Sequence, residues 1–338
     1  MFNRLIKIRN LMVFLGSISC LLAIGQPAPG VTTFVSRLNQ GDAIPEDLLT
    51  RKSLVLHDPS ISYRELEAFQ AGFQRCGIDA VLYVPYDVPT ANQEVNRLFI
   101  NYVSKREIYY FIVLTKKESI YDLVIAPFDG KQDWFTEGHA AWHLFGSDIG
   151  AITQSIYRLT AGKLKKRNLL INENPETQLS LNPITGNRNE FFALDLKVDK
   201  LAIVRTGLAT EDKILEEYFS QNYPFKYEFF NPGTLDKDIR SKGFLYLLRY
   251  VHSRGSVAMR LLGYEPAKIG KSIPTISFNE LSQQEIKNVS SETTIWKFYF
   301  KHLENGNHYL GTKWDAAEDK IEALKNHIQG FKNELRIK

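Results

Sequence analysis

The chain has 338 residues, 44% hydrophobic, 24% charged and 12% aromatic, which excludes a collagen, a coiled-coil rod and a wholly disordered protein. Three of its 42 basic residues and none of its 38 acids lie within residues 1–25, so the remainder carries 39 bases and 38 acids. This near-neutral balance gives no electrostatic argument for nucleic-acid binding. The length allows two domains of common size.

The first 25 residues have the pattern of a secretory signal peptide. Three basic residues precede an apolar run from Leu11 to Ile24, which ends at the small residue Gly25. We expect cleavage after Gly25 and a periplasmic or secreted mature protein without a membrane span, because no other stretch is long and apolar enough. The alternatives are a retained membrane anchor and a lipid on Cys20. Cleavage leaves Cys76 as the only cysteine, which we expect to be a buried, inert thiol.

The next part of the chain predicts the element order β-α-β-α-β-β. The first helix has apolar residues three and four apart, Ser62 as its N-cap and Gly77 as its stop. The last two strands are joined by a polar turn at residues 116–119. The predicted segments are strand 53–58, helix 62–77, strand 78–85, helix 91–105 and two strands within 107–128.

The same order returns in the second half. A strand-like segment with His and Trp and an amphipathic helix then follow in each half, at 138–165 and 307–335. The predicted segments are strand 199–206, helix 211–223, strand 225–230, helix 234–243 and a hairpin over 244–264 that turns at Ser253–Ser256. The short helix carries Asp236 and Asp238, which we expect on a solvated face.

This pattern predicts an α/β (or α+β) fold of two tandem modules, residues 31–165 and 190–338. A polar linker occupies residues 166–189, and a long loop occupies residues 265–293. The alternative is two unrelated α/β domains. The element order resembles small modules of bacterial envelope proteins, a resemblance of order alone that transfers no residue.

His139 and His143 lie four residues apart beside Glu137, a spacing that suggests a metal site on a helix. The corresponding segment of the second half belongs to a predicted hairpin with Asn305-Gly306 at its turn, so we expect a strand. Residues four apart on a strand are about 13 Å apart, too far for two nitrogens that bind one zinc at about 2 Å. We therefore predict structural histidines, no metal site and no cofactor.

The stronger chemical candidates follow two neighbouring strands of the first half. His57 and Asp58 follow the first strand, and Tyr86 and Asp87 follow the next. Carboxyl ends of parallel strands meet at one edge, where open α/β sheets bind ligands. His57, Asp58 and Asp87 are the catalytic candidates, and Tyr86 and Asp87 the ligand-binding candidates. The alternative is that they are ordinary turn and cap residues.

The sequence contains no glycine-rich phosphate loop, no nucleophile elbow and no C-x-x-C pair. We therefore predict a non-catalytic binding or scaffold protein of the cell envelope with an envelope protein as its partner. The alternatives are a secreted hydrolase that uses the edge residues, and a small-ligand receptor that binds between the modules. The sequence does not indicate an oligomeric state.

Overall fold

The structure, a computed structural model, describes residues 31–337 except 42, 169, 266–268 and 280. The predicted signal peptide and its cleavage site lie outside the described residues. Within them the fold is mixed α/β, as predicted, with two six-stranded sheets that both combine parallel and antiparallel pairs.

The first unit contains the first sheet, whose strand order is β1-β6-β5-β4-β2-β3. The β1–β6, β2–β4 and β2–β3 pairs are parallel, and the other two pairs are antiparallel. The elements are α1 (Val31–Val35), β1 (Asn39–Gly41), β2 (Lys52–His57), α2 (Tyr63–Cys76), β3 (Asp79–Pro85), α3 (Gln93–Lys105), β4 (Ile108–Lys117), β5 (Ile120–Pro127), β6 (Ala140–Gly146) and α4 (Ile149–Thr160).

The second unit contains the second sheet, whose strand order is β7-β14-β13-β10-β8-β9. Its elements are β7 (Arg188–Asn189), β8 (Leu201–Val204), α5 (Ala209–Asn222), β9 (Tyr227–Phe230), α6 (Asp236–Ser241), β10 (Tyr246–Arg254), α7 (Gly255–Leu261), β11 (Ser272–Phe278), β12 (Gln284–Ser290), β13 (Thr294–His302), β14 (His308–Tyr309) and α8 (Lys320–Glu334). Two one-turn 3₁₀ helices, Leu48–Thr50 and Leu194–Lys197, precede β2 and β8.

The two sheets share one strand order and one set of strand directions. The corresponding strands are β1 and β7, β2 and β8, β3 and β9, β4 and β10, β5 and β13, and β6 and β14. Every two neighbouring strands that are parallel in the first sheet have counterparts that are parallel in the second. The antiparallel neighbours correspond in the same way. The origin of both units from one duplicated module remains our interpretation of this likeness.

Helix α2 forms for the local reasons that its sequence indicates. Ser62 accepts a hydrogen bond from the Glu65 backbone while the Glu65 side chain accepts one from the Ser62 backbone, which completes a capping box. Gly77 ends the helix with a φ of 88°, a left-handed conformation that glycine adopts without steric cost.

The hairpin predicted over residues 244–264 is wrong. β10 continues to Arg254, and α7 then begins at Gly255, where a side chain would meet Ile273 Cδ1 at 2.9 Å. The antiparallel partner of β10 is β13, about 40 residues further on, with Tyr250 opposite Phe298. The predicted long loop 265–293 contains the inserted β11–β12 hairpin. A short apolar run such as that of α7 fits a strand and a helix equally well.

The predicted linker packs along the edge of the first sheet. The backbone amide of Tyr83 in β3 donates to the Glu176 carbonyl oxygen at 2.8 Å, and the Glu176 amide donates to the Val81 carbonyl oxygen at 3.0 Å. The Glu176 side chain also receives hydrogen bonds from Arg106 and Tyr102. The linker thus covers an edge that would otherwise expose unpaired backbone groups.

The core forms layers on both faces of each sheet. Helices α2 and α4 cover the outer face of the first sheet, and α5 and α8 cover the outer face of the second. The inner faces contribute to the junction, a continuous apolar cluster that also contains helices α3 and α7, with Leu54, Phe99 and Phe111 from the first unit and Val251 and Tyr299 from the second. The two units are therefore joined by a common core rather than by a flexible contact.

Candidate functional site

The structure brings the predicted edge residues of the first unit together. The Tyr86 hydroxyl donates to Asp58 Oδ2 at 3.1 Å, and the Tyr86 amide donates to the His57 carbonyl oxygen at 3.0 Å. The His57 ring donates through Nδ1 to the Asp58 carbonyl oxygen at 2.9 Å. His57 and Tyr86 are buried. Asp58 also accepts from the Ser60 amide, which makes it a turn residue as well.

Asp87 accepts its hydrogen bonds from Arg254 of the second unit. Arg254 at the end of β10 donates from Nε to Asp87 Oδ2 at 2.8 Å and from Nη2 to Oδ1 at 3.2 Å. The Asp87 side chain is 2% exposed and that of Arg254 is 16% exposed. Both carboxylate oxygens are thus engaged by one guanidinium, the fork geometry that suits arginine. The geometry gives Asp87 the role of an anchor between the units.

The ionisation of the trio follows from burial. Burial lowers the pKa of His57 below its ordinary value, so the imidazole is neutral at neutral pH. Burial and the adjacent Asp58 charge raise the pKa of the Tyr86 hydroxyl, which keeps its proton. The side chains of His57, Asp58 and Tyr86 can therefore donate and accept hydrogen bonds. The neighbouring Asp87 side chain, in contrast, is covered by the second unit.

Buried histidines make the stability of the protein sensitive to acid. Burial lowers the pKa of four of them, that of His252 to about 4. Because the unfolded chain binds protons on these rings more readily, we expect the free energy of unfolding to fall as the pH drops below about 6.5, by about 1.4 kcal/mol per pH unit for each proton taken up. Urea denaturation between pH 7.5 and pH 5 measures this slope, and a flat profile would contradict it. The four are His57, His252, His308 and His327.

The strand predicted for His139 and His143 is present for His143 but begins one residue after His139. His143 is in β6, and His139 directly precedes it. His143 Nε2 donates to Asp122 Oδ1 of β5 at 2.5 Å, a cross-strand contact between neighbours. Across the described part of the chain, no group of three or more His, Cys, Asp or Glu side chains could hold a metal ion.

Cys76 is buried at the end of α2, and its thiol donates to the Thr153 carbonyl oxygen of α4. Burial raises its pKa to about 11. We therefore expect native protein to leave Cys76 unmodified by a thiol reagent at pH 8 and to react after unfolding. Mass spectrometry before and after denaturation measures this, and rapid labelling of the native protein would refute it.

A buried triad of ionisable side chains in the second unit was missed by the sequence analysis. Lys297 of β13 donates to Asp315 Oδ1 at 2.6 Å and to the Leu310 carbonyl oxygen at 2.9 Å. His327 of α8 donates through Nδ1 to Asp315 Oδ2 at 3.0 Å. All three side chains are at most 2% exposed, and burial lowers the pKa of the His327 ring. The available signal was a lysine in the middle of the apolar strand "TIWKFYF".

A second polar network connects the two units beside the junction. Lys301 of β13 donates to Glu94 Oε1 of α3 at 2.6 Å and to Asp236 Oδ2 of α6 at 3.0 Å. Asp236 also accepts from Arg249 at 2.5 Å. The prediction that Asp236 and Asp238 form a solvated face is wrong for Asp236, which is half-buried, and right for Asp238, which is exposed.

A cleft between α5 and α8 is the second feature that the sequence analysis missed. In the first unit, α2 and α4 pack closely where Gly72 meets Thr153. Their counterparts α5 and α8 leave a cleft of about 310 Å³, and a more open groove of about 710 Å³ also lies beside the Gly72–Thr153 contact. The cleft reaches Thr206, just beyond the carboxyl end of β8, where α/β sheets bind ligands. Its apolar lining consists of Ile214, Leu215, Trp296, Phe298, Ile321 and Leu324.

The rim of the cleft is acidic. Glu211, Glu318 and Asp319 line it together with one base, Lys320. Lys320 donates to Glu211 Oε2 at 2.5 Å and lies 5.0 Å from the centre of the Trp296 ring. The cleft therefore offers an aromatic floor and an excess of negative charge, which favour an apolar group that carries a positive charge.

Comparisons with known proteins give no family for this chain. No protein-family model matches the sequence, and no curated protein matches it. Among the residues that the structure describes, no helix combines the length and apolar character needed to cross a membrane.

Proposed function

We propose that the protein is an extracytoplasmic, non-catalytic binding component of the cell envelope and that it binds its partner in the cleft between α5 and α8. The cleft is the observation that carries the proposal. It combines a partly exposed apolar lining with a polar rim, and its volume suits one bulky side chain or a small ligand. The extracytoplasmic location rests on the signal-like pattern of residues 1–25.

The edge residues of the first unit support a binding role rather than catalysis. Asp87 is held by Arg254 through both oxygens, so it is not placed to act as a general base. His57 and Asp58 are bonded into a turn with Tyr86. The junction that the sequence suggested as a ligand site is filled by apolar side chains.

Site-specific crosslinking tests the cleft. A photo-reactive residue at position 214 is expected to give a reproducible one-to-one adduct in the native envelope fraction, because Ile214 lies in the cleft and is 47% exposed. Leu235, also 47% exposed but outside the cleft lining, is the matched control position. Equal adducts at both positions, or none at 214, would count against the cleft.

Charge reversal at the rim gives a second test. Glu211→Lys is expected to reduce the yield of the adduct at position 214 about tenfold, because it inverts one rim charge. Glu217→Lys makes the same change on the same helix outside the cleft lining and should leave the yield unchanged. Equal losses in both variants would point to the overall charge instead of the cleft.

The location has its own test. The protein recovered from the envelope or the medium is expected to begin near Gln26, as N-terminal sequencing would show. A full-length protein in the cytosolic fraction would overturn the location without affecting the crosslinking result.

A further inference from the structure

The inserted hairpin of the second unit ends in an unpaired strand edge. β12 pairs with β11 along its whole length, from Gln284 opposite Phe278 to Ser290 opposite Ser272. β11 is fixed to the body of the protein, since Ile276 donates to the Trp314 carbonyl oxygen at 2.8 Å. The opposite edge of β12 has no backbone partner in the described part of the chain.

The side chains along this edge are exposed over most of its length. Every residue of β12 is exposed except Val289, which is half-buried, and Ile286 is 71% exposed. Proteins commonly protect such edges with charged side chains, a proline, a bulge or a covering segment, and β12 has the first of these in Glu285 and Lys287. The register of β11 and β12 has no bulge, β12 contains no proline, and no segment that the structure describes pairs with its outer edge in the way that Glu176 pairs with β3.

The charges along β12 are complementary to themselves in one arrangement. An antiparallel pair of two β12 strands centred on Ile286 places Glu285 of each copy opposite Lys287 of the other, and the two Ile286 side chains opposite each other. A parallel pair in register would place glutamate opposite glutamate and lysine opposite lysine, which is unfavourable. The sequence thus selects the antiparallel pair.

We propose that β12 is a self-association edge, through which two copies of this chain pair antiparallel about Ile286. The pairing supplies partners for the outward backbone groups, buries Ile286 and forms two Glu285–Lys287 pairs across a two-fold axis. It is independent of the cleft between α5 and α8.

The contacts that Glu285 and Lys287 make within one chain compete only weakly with the proposed pairing between two chains. Lys287 contacts Glu322 at 2.9 Å, and Asn279 donates to Glu285 at 3.2 Å. The Lys287–Glu322 pair is about half exposed on both sides, so it contributes little and exchanges readily. A single strand edge is a small interface, below about 1,200 Å², so the dimer is expected to be weak and reversible.

Sedimentation equilibrium of the purified chain, from micromolar to millimolar concentration, is the test. We expect the average mass to rise from one chain towards two. Glu285→Lys places lysine opposite lysine, and Lys287→Glu places glutamate opposite glutamate, so each should weaken association at least about tenfold. The double variant Glu285→Lys/Lys287→Glu restores both pairs and should restore association. Lys213→Glu, on exposed α5, is the charge-matched control and should change nothing.

A mixture of the two single variants sharpens the result. One carries two lysines and the other two glutamates at positions 285 and 287, so the variants should associate with each other and not with themselves. The proposal is overturned if the chain stays monomeric, if a dimer forms with unchanged affinity in the single variants, or if neither the double variant nor the mixture recovers association.

Discussion

Replacing Asp315 by alanine is expected to lower the free energy of unfolding by about 3–5 kcal/mol, because it leaves the Lys297 ammonium buried without its counter-charge. Burial alone would raise the pKa of Asp315, but Lys297 and His327 together outweigh this effect and shift it down. The carboxylate is therefore charged in the folded protein. Urea denaturation followed by circular dichroism measures the loss.

The double variant Lys297→Met/Asp315→Leu is the informative control. It removes both charges and keeps apolar volume, and buried ion pairs replaced in this way often cost little stability. We expect it to be clearly more stable than Asp315→Ala. Glu217→Ala, which breaks the exposed pair with Lys213, should cost less than about 1 kcal/mol. A loss below about 1 kcal/mol in Asp315→Ala would show that the charge of Lys297 is not buried in solution.

Replacing Arg254 by alanine is expected to cost about 2–5 kcal/mol, because Asp87 is 2% exposed and loses a guanidinium that occupies both of its oxygens. Arg254→Lys keeps the charge but cannot reproduce the fork, so an intermediate loss is expected. Since the pair joins the two units, the loss should appear in global unfolding measured by urea denaturation.

Glu292 provides the matched control for this contact, since it binds the same guanidinium at 2.7 Å but is 62% exposed. Glu292→Ala should therefore cost less than about 1 kcal/mol. If Arg254→Ala and Glu292→Ala cost the same small amount, Asp87 would be solvated, and the edge residues would again be candidates for chemistry.

The elements that the sequence predicted well are those whose signals are local. The capping box at Ser62 and the stop at Gly77 each involve groups within a few residues of each other, so α2 was predicted to within one residue at each end. The strand that carries His143 was predicted from its counterpart in the second half and is present as β6. These signals depend on backbone hydrogen bonds and side-chain periodicity, which the order of residues specifies directly.

The failures concern partners far apart along the chain. The hairpin at 244–264 was wrong because β10 pairs with β13 across the inserted α7 and β11–β12, and no local pattern announces an insertion. The cleft was missed because it depends on how far α5 lies from α8, which is a property of packing. The lysine inside β13 was visible, but its partners Asp315 and His327 were not.

The sequence by itself determined the α/β class, most helices and strands, the burial of Cys76 and the meeting of His57, Asp58 and Tyr86 at one sheet edge, because period, caps and strand direction are short-range properties. Only the tertiary structure decided what faces that edge. The sequence made Asp87 a catalytic and ligand-binding candidate, yet its charge is matched by Arg254, 167 residues later. Burial and charge pairing depend on which surfaces the fold brings together, so the same carboxylate becomes an anchor between two units.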